Sequence, residues 1–160
     1  MTAIGFGHHN HAGCIAEAMQ AAETLCAEQK LQFTPIRRRV LELLLQDHRA
    51  LGAYDILEKL AAEGLGKQPP VAYRALDFLV EHGLAHRIQR LNAFTACQHS
   101  HPEGVAPVFL ICRSCQTVAE MDATGLRRDL SRLGGEAGFS VERATIEALG
   151  VCAACAGGAA

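Results

Sequence analysis

The sequence predicts an α+β chain: a helix-rich N-terminal domain closed by a two-stranded hairpin, then a smaller domain of strands and one helix. Three observations carry this expectation. Apolar residues recur at helical spacing through four segments before residue 83, and they switch to alternation over residues 85–97. The last third holds two Cys-x2-Cys pairs, Cys112/Cys115 and Cys152/Cys155, set among short alternating runs. Three helices after a leading one, then a two-stranded wing, is the order of a winged helix-turn-helix. A length of 160 residues suits two small domains with modest cores. The expected division is a flexible leading segment over 1–13, the winged-helix domain over 14–97, a hinge loop over 98–107 and a small α/β domain over 108–160.

Each element has its own signal. Residues 14–30 place Ile15, Ala18, Met19, Ala22, Leu25 and Cys26 at helical spacing. Thr34 before Pro35 is an N-cap followed by Pro in the first turn, which opens a second helix carrying Val40, Leu41, Leu43, Leu44 and Leu45. Gly52 interrupts, and a third helix over 54–62 ends near Gly64 and Gly66. Pro69-Pro70 opens a fourth, with Ala72, Ala75, Leu76, Leu79 and Val80 expected inward and Gly83 closing it. Residues 85–90 and 93–97 alternate around Leu91-Asn92, a hairpin signal. Beyond the loop, 108–111 and 117–121 read as strands whose turn carries the first Cys pair. Residues 126–133 read as a helix stopped by Gly134-Gly135, and 140–149 as a third strand.

Composition excludes several classes of function. Apolar content of 49% and charged content of 20% argue against wholesale disorder. The longest apolar run, 106–112, is far short of the ~20 residues that cross a bilayer. The start lacks a basic region followed by an apolar one, so no export signal is expected and a cytoplasmic location is. Net charge is −2, and residues 1–90 balance 10 basic against 10 acidic side chains. Contact with DNA would therefore rest on local clusters such as Arg37, Arg38 and Arg39.

Seven Cys and eight His in such a chain point to metal ligation before disulfides. Two thiolates three positions apart can face one cation, and two such pairs close a tetrahedral S4 shell around zinc; an iron–sulfur cluster uses the same four thiolates. A closed S4 shell is structural. A second group, His86, Cys97, His99, His101 and Glu120, offers one thiolate, up to three imidazoles and a carboxylate, enough for a mixed four-ligand site. A metal there would draw on the wing, the connecting loop and the second domain, and would fix the angle between domains.

His101-Pro-Glu103 ahead of Cys112-x2-Cys115 superficially matches a zinc-deaminase pattern. However, Ile111 stands where that pattern has Pro, and the eight intervening residues leave little room for a nucleoside pocket. Cys14, Cys26 and Cys97 also raise a thiol redox sensor, although Cys14 and Cys26 lie on a helical apolar pattern and read as core thiols. His8, His9 and His11 fall in the leading segment, His48 in a loop and His82 at a helix C-terminus. On the fourth helix, Tyr73, Arg74, Asp77 and Glu81 share an outer face, and the first two would reach base edges or phosphates from its N-terminal end.

Taken together, Thr34-Pro-Ile-Arg, Ala53-Tyr-Asp-Ile-Leu, Pro69-Pro-Val-Ala-Tyr-Arg-Ala-Leu-Asp-Phe-Leu and the two Cys pairs resemble the ferric uptake regulator superfamily, and within it the zinc uptake regulator branch. The resemblance runs unbroken over roughly residues 14–156. It implies a homodimeric winged-helix repressor with a C-terminal dimerisation domain, neither an enzyme nor a membrane protein and without a small-molecule substrate. Such a repressor binds palindromic double-stranded operator DNA when its metal site is filled and controls zinc-uptake genes.

The resemblance implies two zinc ions per subunit: a structural one on Cys112, Cys115, Cys152 and Cys155, and a regulatory one on His86, Cys97, a loop histidine (His99 or His101) and Glu120. It also implies DNA contacts by Tyr54, Tyr73 and Arg74. The chain departs from the branch at Val105, where a His is usual seven residues before the first Cys of the hairpin pair, at Val71 for Thr and at Ile36 for Gln. Sister branches sense iron, manganese or peroxide through His-rich, oxygen-containing sites. The soft ligand Cys97 favours zinc. The rival class is a zinc hydrolase or deaminase with an open water position.

Overall fold

The computed structural model describes residues 11–98 and 107–157, which fall into two compact units, the first ending at Gln98. Among the described residues no helix is long and apolar enough to cross a membrane.

The first unit contains α1 (His11–Glu28), α2 (Pro35–Leu45), α3 (Ala53–Ala62), α4 (Pro69–Glu81), β1 (Ala85–Ile88) and β2 (Ala93–Ala96), with a short 3-10 turn over Gln89–Leu91. Helix α1 already includes residues 11–13, which the sequence assigned to the leading segment; residues 1–10 lie outside the described residues. Thr34 caps α2 as expected, its hydroxyl accepting the Arg37 N–H at 3.4 Å, with Pro35 at the first helical position. Helix α2 packs on both α3 and α4. Their apolar stripes bury Val40, Leu44, Ile56, Leu60, Leu76 and Leu79 completely or nearly so.

On α4, Val80 is 38% exposed, contrary to its expected inward facing, while Phe78 is buried. A step of 100° per residue carries 72, 75, 76 and 79 to one face and leaves 78 and 80 on opposite flanks at about equal angles from it; Phe78 is covered by the Arg37 guanidinium, 3.7 Å from its ring centroid, and by the His82 ring at 4.5 Å. After α4 the chain reverses at Gly83 (φ +70°), with the Leu84 N–H bonded to the Leu79 carbonyl at 2.8 Å.

The wing pairs β1 and β2 antiparallel, Ala85 opposite Ala96 and Ile88 opposite Ala93, with Asn92 in the left-handed region at the turn. A third segment joins it: Leu51 exchanges two backbone hydrogen bonds with Phe94, both at 2.8 Å. This single bridge ties the α2–α3 connection to the wing.

The arginines of α2 are committed within the unit. Arg37 stacks at 3.7 Å over the Phe78 ring, Arg38 pairs with Glu23, and Arg39 binds Glu63 through two nitrogens at 2.6 and 2.7 Å and Glu42 at 2.9 Å. The cluster expected to serve DNA therefore ties α2 to α1, α3 and α4. Cys26 is a buried core thiol whose pKa burial raises, whereas Cys14 is exposed, contrary to expectation.

The second unit contains β3 (Pro107–Cys112), β4 (Val118–Asp122), α5 (Thr124–Glu136), β5 (Ile146–Gly150) and the short α6 (Ala153–Gly157). The sheet order is β4-β3-β5, with β4 antiparallel and β5 parallel to β3. Two expectations are corrected. Helix α5 runs through Gly134 and Gly135 and ends at Glu136, with Ala137 as its C-cap and Gly138 (φ +73°) supplying the reversal. A Cβ on Gly134 would lie 2.9 Å from both the Phe139 carbonyl oxygen and Val141 Cγ2, so the glycine admits the returning chain rather than stopping the helix. The third strand occupies only Ile146–Gly150, because β3, its one partner among the described residues, pairs with it from Val108 to Cys112 and gives residues 140–145 no ladder.

Candidate metal centres and nucleic-acid face

The S4 cluster follows from strand register. Cys112 is the last residue of β3 and stands opposite Gly150 in the parallel pairing, which delivers Cys152, two residues on, beside it. The β3–β4 turn is closed by the Gln116 N–H on the Cys112 carbonyl at 2.9 Å, with Gln116 at φ +59°, and this turn presents Cys115. Cys155 is brought back by α6, whose first bonds run from the Cys155 and Ala156 N–H groups to the Cys152 carbonyl at 3.0 and 2.9 Å. All four Sγ atoms lie within 4.8 Å of one another, and Cys115 and Cys152 are 3.8 Å apart. A regular tetrahedron with Zn–S bonds of ~2.3 Å has edges of about 3.8 Å, so the donor set fits zinc in number, softness and size.

The electrostatics divide the cluster. Cys112, buried at the end of β3, has its thiol pKa lowered to about 6 by the backbone N–H of Cys115 and then that of Cys152, which lies 3.4 Å from its sulfur. The Thr117 hydroxyl, 3.2 Å from Cys115 Sγ, lowers that thiol as well. Cys155 is pushed up to about 12 by the neighbouring sulfurs of Cys152 and Cys115. Gathering four thiolates without a cation is unfavourable, and a bound dication reverses that balance. The structure brings together the four cysteines that the sequence singles out; the sequence reading missed Thr117, whose signal was a hydroxyl residue two positions after the second Cys of the turn.

The residues of the expected mixed site are placed as follows. His86 lies on β1 opposite Thr95, and Cys97 follows β2 with its N–H on the Leu84 carbonyl at 3.0 Å. The structure brings these two together, a His86 ring nitrogen and the Cys97 sulfur lying within 4.8 Å. Glu120 belongs to the second unit, buried on β4 opposite Phe109 of β3. His99 and His101 lie outside the described residues.

Of the residues expected to contact DNA, Tyr73 (42% exposed) and Arg74 project from the first half of α4, whose N-terminus has no side-chain cap. Uncapped N–H groups and the helix dipole make that end favourable to phosphate. Tyr54, at the start of α3, is 70% exposed. Large aromatic side chains in water at two helix starts are not explained by packing.

No family model matches the sequence. The zinc uptake regulation protein of Escherichia coli K12 is 36% identical over 140 residues, covering 87% of this chain and 81% of the relative. The chain belongs to the zinc uptake regulators. Solved zinc uptake regulators share its fold. One complexed with zinc and DNA has a TM-score of 0.83 at 34% identity, over 89% of this chain and 95% of that one. Holo XcZur has a TM-score of 0.78 at 34% identity, over 87% and 96%.

Proposed function

We infer that this zinc uptake regulator is a zinc-responsive transcriptional repressor, which binds palindromic operator DNA as a homodimer when its regulatory site is filled and thereby controls zinc-uptake genes. The observation that carries the reading is its likeness, over nearly nine-tenths of the chain, to a regulator solved with zinc and DNA. Each subunit holds two zinc ions, one structural on Cys112, Cys115, Cys152 and Cys155, and one regulatory on His86, Cys97, a loop histidine (His99 or His101) and Glu120. It works in the cytoplasm and is not an enzyme.

Zinc would supply no reaction here; bound, it would join ligands carried by separate elements. His86 and Cys97 belong to the wing and Glu120 to the sheet of the second unit. Joining them restricts how Tyr73 and Arg74 of paired subunits can meet successive major grooves. A 100-fold gain in DNA affinity needs about 2.7 kcal/mol of coupling between the metal and DNA sites, an ordinary allosteric magnitude. Support for the dimer comes from the second unit. Leu126, Leu130 and Leu133 form an i, i+4, i+7 stripe on α5, which has no buried residue, and Leu133 (52%) and Phe139 (66%) are strongly exposed. A solvated apolar stripe of this kind is suited to a second copy.

The test is zinc stoichiometry together with DNA binding. Cys97→Ser is expected to hold one tight zinc, remain folded and lose zinc-dependent binding to duplexes enriched from a random library by the zinc-loaded parent protein. Loss of all metal, or unchanged DNA binding, would overturn the division into two sites.

A further inference from the structure

We propose that His48 is a positioning residue for the regulatory zinc site, acting through Gln98 on the thiolate of Cys97; the inference rests on the assignment of Cys97 as a ligand. The Gln98 side-chain nitrogen lies 2.9 Å from His48 Nδ1, so the amide N–H donates to an imidazole whose proton is on Nε2. The two residues are fifty positions apart in sequence and are joined by the topology of the wing. The Leu51–Phe94 bridge is antiparallel. Carrying its register three residues outward sets position 48 beside position 97, and so beside the exit from β2.

The exit is thus held at two successive points. The Cys97 N–H is bonded to the Leu84 carbonyl at 3.0 Å, on the β1 side. The Gln98 side chain is held by His48 on the other side, that of the α2–α3 connection. Cys97 lies between these anchors and is half-buried, as are His48 and Gln98. A metal ligand placed beyond the end of a strand loses affinity when it must be ordered on binding, and anchoring its neighbours beforehand removes that cost. The tether also links the ligand to the α2–α3 connection, which precedes Tyr54, without touching DNA or metal itself.

The experiment is zinc competition against a chromophoric chelator with the full-length protein, the structural zinc loaded throughout. His48→Ala and Gln98→Ala should each weaken the second zinc about fivefold, the worth of one ordered hydrogen bond. The double variant should be no weaker than either single one, because both changes remove the same contact. His48→Asn, whose amide can occupy the place of Nδ1, should recover most of the affinity, which a purely structural role for the imidazole would not allow. The first zinc and the thermal melting of the first unit should be unchanged. Cys97→Ser is the control: if it keeps a second zinc of parental affinity, the ligand assignment falls and this inference with it. If Cys97→Ser loses the second zinc while His48→Ala and Gln98→Ala bind it as the parent does, the tether alone is refuted. Additive losses in the double variant, or no recovery with His48→Asn, would likewise refute it.

Discussion

Replacing Cys152 by Ser asks whether the S4 cluster or the apolar core holds the second unit together. The core there is small: Val108, Phe109, Ile111 and Val118 are its large, fully or nearly fully buried apolar side chains. At ~1.5–3 kcal/mol for each full burial, they contribute about 6–12 kcal/mol before any ordering cost. A structural zinc contributes ~10–16 kcal/mol of apparent binding free energy in comparable small sites. The metal therefore rivals the entire apolar core. Serine leaves the backbone bond from residue 152 to Cys112 Sγ available and removes only the sulfur. Losing one of four ligands should cost roughly 3–4 kcal/mol, or between two and three orders of magnitude in zinc affinity. Hydrogen exchange followed by mass spectrometry reads the consequence directly. At limiting free zinc, protection should fall over 107–122 and 146–157 while α2 and α4, which have their own core, keep theirs. A variant that loses this zinc and retains parental protection in the second unit would refute the reasoning.

Other perturbations follow from particular contacts. Gly134→Ala places a methyl group 2.9 Å from a backbone oxygen; it should lower stability by about 1–3 kcal/mol, seen as a reduced Tm, and an unchanged Tm would mean the return from α5 is looser than described. Arg74→Ala should weaken binding to enriched operator duplexes and reduce the slope of log affinity against log salt by about one unit if the guanidinium meets phosphate; an unaltered slope assigns it elsewhere. Leu133→Asp should shift sedimentation from dimer to monomer at low micromolar concentration without loss of helix signal, whereas a persistent dimer would move the interface off α5. The Glu63 carboxyl is held below its ordinary pKa chiefly by the Arg39 hydrogen bonds. Its contribution to stability is present above the unfolded-state value and is lost as pH falls through the lowered folded value. Hence Glu63→Gln should lower Tm at neutral pH, converge with the parent under acid, and show a smaller effect at high salt, since the pair is partly exposed; an equal deficit at all pH values would contradict this.

The elements that were legible in the sequence are those with local chemistry at their ends. Thr34-Pro35 sets the start of α2 within a residue, and Pro69 that of α4, because a cap and a fixed φ act on the nearest turn. The four-cysteine cluster was legible because a Cys-x2-Cys turn is itself local and two such turns can supply four sulfurs to one point. What escaped depended on distant partners. The Leu51–Phe94 bridge is a single residue with no periodicity to announce it. Gly134 reads as a breaker until Phe139 and Val141 are seen to pack against it. The length of β5 is set by β3. Arg37, Arg38 and Arg39 read as a basic patch, and only their partners on other elements reveal them as internal ties. His86 and Cys97 were legible as ligand types, and the wing's antiparallel register explains their proximity.

Metal selectivity of DNA binding bears most directly on the function. Fluorescence anisotropy with enriched operator duplexes, across buffered free zinc, iron and manganese, should show half-maximal binding at a far lower free concentration of zinc than of either other metal. The parent protein should release the DNA when only its weaker zinc is stripped. Binding that is indifferent to zinc, or that iron or manganese activates at lower free concentration, would contradict the assignment.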